Sequence, residues 1–228
     1  MFNKLLFFLF VSVLVIGCES NDKIAVSEGE TMKTEIVDAH SFSNFNDVNT
    51  KHLHLDLNVD FNTKTLNGFV KHTIENTNNS EKIVFDVKGV EVEKVYLNDI
   101  DKSVDFKIVK GTETGDALEA PIDSKTKEVT IFYKTTAESE ALQWLDPQQT
   151  AGKTSPYLFT QGQAILTRTW IPCQDTPANR ITYSAHIHCD SSLMTLMSAD
   201  NPTEKSFDGN YSFEMNNPNP LPVGFPFS

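Results

Sequence analysis

The sequence predicts an all-β fold, with antiparallel sheets packed as a saddle-like sandwich. Three observations predict it. Short runs of alternating apolar residues recur between residues 52 and 215. Polar or glycine-containing links separate the runs. No amphipathic stretch is long enough for a helix of more than about three turns.

The elements follow in order. "HLHLDLNVDF", residues 52–61, alternates strictly, so Leu53, Leu55, Leu57, Val59 and Phe61 share one face. Asn62 to Thr65 is a turn, and "GFVKHTIEN" returns with Val70, His72 and Ile74 on one face. Further strands read at "KIVFDV" (82–87), "VEKVYL" (92–97), "VDFKIV" (104–109), "EVTIFY" (128–133), "RITYSAHIHC" (180–189) and "NYSFEM" (210–215). Asn98-Asp99 and Gly111 to Asp116 are links between them.

A different kind of segment precedes the strands. "MFNKLLFFLFVSVLVIGC" carries Lys4 and then an apolar run from Leu5 to Ile16. That run is shorter than the roughly 20 residues of a membrane span and suits a signal-peptide core. Val15-Ile16-Gly17-Cys18 resembles a bacterial lipobox, which implies cleavage before Cys18 and lipid on its sulfur. An ordinary signal peptide is the alternative. The polar, acidic stretch Glu19 to His40 lacks periodicity and reads as a tether. The expected organisation is a lipoprotein signal at 1–17, a polar tether at 18–45 and a β domain at 46–228. The expected location is the bacterial cell envelope, lipid-anchored on a periplasmic or surface face.

With 39% hydrophobic and 22% charged residues, the 228-residue chain is globular in composition. A formal net charge of -12 and the lack of any basic run argue against nucleic acid as a partner. Cys173 and Cys189 remain in the mature chain, and small free thiols are favoured over a disulfide between them.

Candidate chemistry is sparse. His52-x-His54 and His186-x-His188 each place two imidazoles on one strand face, a pattern that can ligate zinc or copper. His52 and His54 lie opposite the apolar face of their strand and are expected to face solvent, so no metal ligand is assigned. No histidine is followed by glutamate, which excludes His-Glu-x-x-His from this sequence. There is no Gly-x-Ser-x-Gly elbow and no phosphate loop. Cys173 has no activating neighbour in sequence, and no catalytic residue is assigned. Gln161 and Gln163 stand two apart, which on a strand puts both carboxamides on one face. Each offers an oxygen acceptor and two N–H donors, suited to a peptide backbone or a free α-amino group. Two solvated glutamines on an exposed face fit the same pattern.

"TKHLHLDLNVDF" (50–61), "ALQWLDPQQTAGKTSPYLFTQGQAI" (141–165) and "PCQDTPANRITYSAHI" (172–187) resemble the leukotriene A4 hydrolase branch of the zinc aminopeptidases, whose catalytic domains are gluzincins. The resemblance runs from about Lys51 to about Ala199. It implies an aminopeptidase N-like N-terminal domain that packs on a thermolysin-like catalytic domain. It also implies that Gln161, Gly162, Gln163 and Ala164 hold the N-terminus and first residue of a peptide substrate. The family's zinc sits on two His and one Glu, and a Gly-x-Met-Glu-Asn loop completes the clamp. Neither motif occurs in this sequence, so no cofactor is expected in this chain and zinc is expected in the complete enzyme. The expected partners are a peptide N-terminus, the catalytic domain, and a membrane through lipid on Cys18.

The ending "NNPNPLPVGFPFS" departs from the family pattern, because prolines lack the N–H a central strand needs. The expectation is a truncated or frameshifted product with its last strand incomplete and no peptidase activity alone. The alternative is a stand-alone, non-catalytic β-sandwich lipoprotein that binds peptides or a partner protein.

Overall fold

The computed structural model describes residues 36–220 and 226–227. The expected signal, Cys18 and most of the expected tether lie outside the described residues. Among the described residues there is no α-helix, only two 3-10 turns at Pro147–Gln149 and Thr167–Thr169.

The strands are β1 (Val48–Asp60), β2 (Thr65–Asn76), β3 (Lys82–Val87), β4 (Val90–Leu97), β5 (Asp99–Val104), β6 (Lys107–Thr112), β7 (Gly115–Pro121), β8 (Glu128–Thr135), β9 (Leu142–Leu145), β10 (Tyr157–Thr160), β11 (Arg180–His188), β12 (Asn210–Pro220) and β13 (Pro226–Phe227). Seven form one sheet in the order β12-β11-β1-β2-β8-β4-β5, and two three-stranded sheets run β13-β10-β9 and β3-β7-β6. The all-β expectation stands, with one departure from antiparallel pairing. β1 and β11 are parallel, His54 opposite Ser184 and Asp56 opposite His186.

Alternation explains the core. Leu53, Leu55 and Leu57 of β1 are at most 2% exposed, and they join Val70 of β2, Ile131 of β8 and Ile187 of β11 in one apolar cluster. Ile83 and Phe85 of β3 and Leu118 of β7 complete that cluster from the small sheet. Apolar burial is the main favourable term in folding, at roughly 25 cal/mol per Å².

Two sequence expectations need correction here, and the placement of the prolines bears on a third. "VDFKIV" is not one strand: Asp105 and Phe106 break it, so β5 ends at Val104 and β6 begins at Lys107. The supposed link Gly111 to Asp116 contributes to two strands, since Thr112 of β6 pairs with Gly115 of β7. Pro218, Pro220 and Pro226 lie in strands that are sheet edges, and a central strand carries none of them. β12 carries Pro218 and Pro220 at the rim of the large sheet, and Pro226 of β13 pairs with Phe159 at the rim of the other. An edge strand tolerates a missing donor on its open side.

The end of the segment read as tether is fixed to the domain. Ser41 Oγ and the Phe42 N–H both donate to the buried Asp86 carboxylate, at 2.7 and 2.6 Å. Phe45 is buried. Cys173 and Cys189 are both free thiols, and Cys173 is buried.

Candidate functional site

The glutamine stretch begins where β10 ends. β10 pairs antiparallel with β9 through Thr160 opposite Leu142, and the ladder stops there. Gln161 N–H donates to Ala141 O at 2.9 Å, and Leu166 N–H donates back to Gly162 O at 2.7 Å. That second bond closes a turn over Gln163–Leu166. The expectation that Gln161 and Gln163 share a strand face is therefore corrected: the chain has left the sheet before Gln161. Both side chains are nevertheless exposed, as is Ala164, while Gly162 is buried with its carbonyl engaged by the turn. The Gln163–Ala164 peptide bond is cis.

The far end of the turn is pinned as firmly as the near end. Thr169 Oγ1 donates to Leu166 O at 2.8 Å and accepts the Ala141 N–H at 3.0 Å. Ser139 Oγ donates to Thr169 O. Thr167, Arg168 and Thr169 are all buried. Ala141, at the mouth of β9, thus receives both ends of the loop.

Arg168 anchors the next layer. Its Nε donates to Asp175 Oδ2 at 3.0 Å, and its guanidinium lies 3.7 Å from Asp86 Oδ1. The same group donates to His40 O, Thr114 O and Asp175 O. Asp175 N–H donates to Asp86 Oδ2 at 2.9 Å. Two buried carboxylates therefore share one guanidinium. Burial pushes both carboxyls above the usual range, and Arg168 opposes that push.

"PCQDTP" supplies three more ties. Cys173 and Asp86 exchange backbone hydrogen bonds at 2.7 and 3.3 Å. Pro172 O lies 3.0 Å from His72 Nε2, and a carbonyl can only accept, so His72 carries its proton there. Thr50 Oγ1 then donates to His72 Nδ1, 3.1 Å away. Burial holds His72 down at about 4. Gln174 accepts the Thr50 N–H and donates to Val48 O, each at 2.9 Å.

The result is a rigid support under a neutral crest. Residues 161–166 carry no formal charge, and the nearest one in sequence, Arg168, is buried against two carboxylates. Exposed amide dipoles on such a loop can receive a peptide backbone or an ammonium group without a like-charge penalty. The loop contains no imidazole, thiolate or carboxylate, so it fits no metal. An open groove of about 400 Å³ lies nearby in sequence between Leu145 and Tyr157, and the glutamines do not line it.

His52 and His54 were expected to face solvent, and here the structure differs. Both are half-buried and bonded to β11: His52 to Thr182 and Ser184, His54 to Ser184. The parallel β1–β11 pairing also brings His54, Asp56 and His186 together, with ligand atoms within 4.8 Å of one another. Sequence reasoning saw the two His-x-His pairs separately, and nothing local announced their juxtaposition. It also missed Asp86 and Arg168, whose only signal is charge inside otherwise apolar or threonine-rich runs.

The fold defines a β domain that presents a pinned, uncharged glutamine turn. Residues 49–220 match the peptidase M1 N-terminal domain, and the chain belongs to that family. It is 35% identical over 196 residues to a leukotriene A-4 hydrolase from Xenopus laevis, covering 81% of this chain and 32% of the relative. A leucine aminopeptidase 2-2 from Meyerozyma guilliermondii is 35% identical over 190 residues, covering 82% of this chain and 28% of the relative. Yeast LTA4 hydrolase in complex with bestatin superposes with a TM-score of 0.75 at 27% identity, over 86% of this chain and 31% of that one. An M1 zinc metallopeptidase from Deinococcus radiodurans shares the fold at 20% identity and a TM-score of 0.61, over 80% of this chain and 42% of that one. The chain spans about a third of the length of the curated relatives it matches.

Proposed function

We propose that this chain is the substrate-clamp domain of a zinc metallo-aminopeptidase that removes N-terminal residues from peptides. The carrying observation is the loop Gln161–Leu166: two exposed carboxamides on a turn whose both ends are hydrogen-bonded to Ala141, directly or through Thr169. Gln161 and Gln163 hold the substrate's amino terminus and first residue, and Gly162 and Ala164 shape the backbone beside them. The names of the relatives, a leucine aminopeptidase and a leukotriene A-4 hydrolase, support the same reading.

The zinc chemistry belongs to a catalytic domain. The recognition loop offers zinc no donor, and the sequence contains no His-Glu-x-x-His. Peptide hydrolysis by this domain alone is therefore excluded from the proposal, and the domain's own part is binding and orientation. The lipobox-like Val15-Ile16-Gly17-Cys18 supports a second element: lipid on Cys18 holds the enzyme to a bacterial membrane.

The test uses the enzyme in which this domain is joined to its zinc domain. Gln163→Ala should lower kcat/KM for peptides with a free amino terminus by about 1–3 kcal/mol, the range for a hydrogen bond to a charged group. An unchanged kcat/KM sinks the clamp role. Zinc-dependent release of an amino acid by the present chain alone would overturn the division of labour. Cys18→Ser should move the chain out of the membrane fraction, and its retention there would refute the lipid anchor.

A further inference from the structure

On the outer face of the large sheet, β1 presents His52, His54 and Asp56, and its parallel neighbour β11 presents Thr182, Ser184, His186 and His188. The His54 and His186 rings meet edge to face with centroids 5.0 Å apart. His186 Nδ1 lies 3.8 Å from Asp56 Oδ2, and His188 Nε2 lies 3.2 Å from Asp56 Oδ1. His54, Asp56 and His186 thus bring two imidazoles and a carboxylate within 4.8 Å of one another, the donor set that suits zinc and its neighbours in the transition series.

A chain of hydrogen bonds prepares one of those donors. Lys51 O can only accept, and Thr182 Oγ1 donates to it across 3.5 Å. With its proton so used, Thr182 Oγ1 accepts from His52 Nδ1 at 2.7 Å. Neutral His52 then has a bare Nε2, which accepts from Ser184 Oγ at 3.0 Å. Ser184, its single proton spent, accepts from His54 Nδ1 at 2.8 Å. The direction set at Lys51 therefore leaves His54 Nε2 as an unprotonated lone pair. A metal-binding imidazole requires this: one nitrogen free, the other donating to a partner that fixes the ring.

We propose that this face is a divalent transition-metal site, with His54 Nε2, Asp56 and His186 as ligands and Ser184 as the residue that orients His54. Three protein ligands leave a fourth position for water. One donor atom from each of the three residues already lies within 4.8 Å of the others, and tetrahedral zinc with bonds near 2.0–2.1 Å needs its ligand atoms to close to about 3.3 Å. His186, with a side chain 52% exposed, is free to swing that distance. Lys71, opposite His54 on β2, opposes a cation here, and its ammonium lies 3.4 Å from the Glu128 carboxylate; Arg180 stands farther along the same face of β11. Glu214, opposite Ser184 on β12, adds a favourable negative charge.

The test is calorimetric titration of the full chain with zinc chloride at neutral pH, after removal of metal by a chelator. One equivalent should bind, and the melting temperature should rise with zinc by mass action. His54→Ala and His186→Ala should each weaken binding by about 100-fold. Ser184→Ala should weaken it by about 10-fold, the usual scale for losing an orienting partner. His40→Ala, on an exposed residue elsewhere, should change nothing. Unchanged circular dichroism of each variant without zinc separates ligand loss from unfolding. Failure of the wild-type chain to bind, or stoichiometric binding kept by the His54→Ala/His186→Ala double variant, overturns the site. Full affinity in Ser184→Ala overturns the orienting role.

Discussion

Arg168 and Asp175, seven residues apart, meet Nε to Oδ2 at 3.0 Å, and both are buried. With Asp86 3.7 Å from the same guanidinium, this pair fastens the segment after the glutamine loop to β3. Charge buried this deeply persists only because it is paired and hydrogen-bonded.

Removing the guanidinium alone should therefore be severe. Arg168→Met strands two carboxylates and should cost about 3–5 kcal/mol in urea-unfolding free energy. Adding Asp86→Asn and Asp175→Asn should restore part of the loss, since neutral amides cost less to bury. A loss below about 1 kcal/mol for Arg168→Met would show that the triad does not anchor the loop.

His72 should make the domain acid-sensitive over a defined window. Its folded value, about 4, lies below the ordinary 6.5, so the unfolded chain binds the proton more readily. The stabilising contribution is complete above pH 6.5 and is lost as pH falls toward 4. Between pH 7 and pH 5 that loss should be about 2 kcal/mol. Asp86 and Asp175, with carboxyls raised by burial, act in the opposite sense. The comparison is therefore wild type against His72→Gln, each measured at both pH values. An equal pH dependence in the two proteins would refute the assignment.

Gln174 completes the β1 ladder where it is irregular, between Thr50 and His52. Its oxygen takes the Thr50 N–H and its nitrogen serves Val48 O. Gln174→Glu keeps the shape but turns one oxygen against a carbonyl. It should destabilise by about 1–3 kcal/mol at neutral pH, the cost of an unsatisfied buried polar group. An unfolding midpoint within error of wild type would show that the carboxamide is dispensable.

What was legible in the sequence followed from strict period two. Leu53, Leu55, Leu57 and Val59 alternate without exception, and all four are buried. β7 was missed because "GDALEAP" opens on Gly-Asp, closes on proline and buries Ala117 and Leu118 in succession. β9 and β10 have four residues each, too short for a period to declare itself. The glutamines were found as residue types, but the strand geometry given to them failed, because the turn that exposes them is held by Ala141, distant in the chain, directly and through Thr169. The histidine cluster was invisible for a related reason. His54 and His186 are joined by a parallel register between distant strands, and no local pattern encodes that.

The parallel β1–β11 seam also sets a timetable. β1 pairs with β2 through a short turn, yet its other edge has no partner until β11, ending at His188, has been made. At about 5–20 residues per second, the stretch from Asp60 to His188 takes roughly 6–25 s to synthesise. Throughout that interval one edge of the most regular apolar strand in the chain stays open to any other strand it meets. The β1–β11 seam of the large sheet closes among the last of its parts.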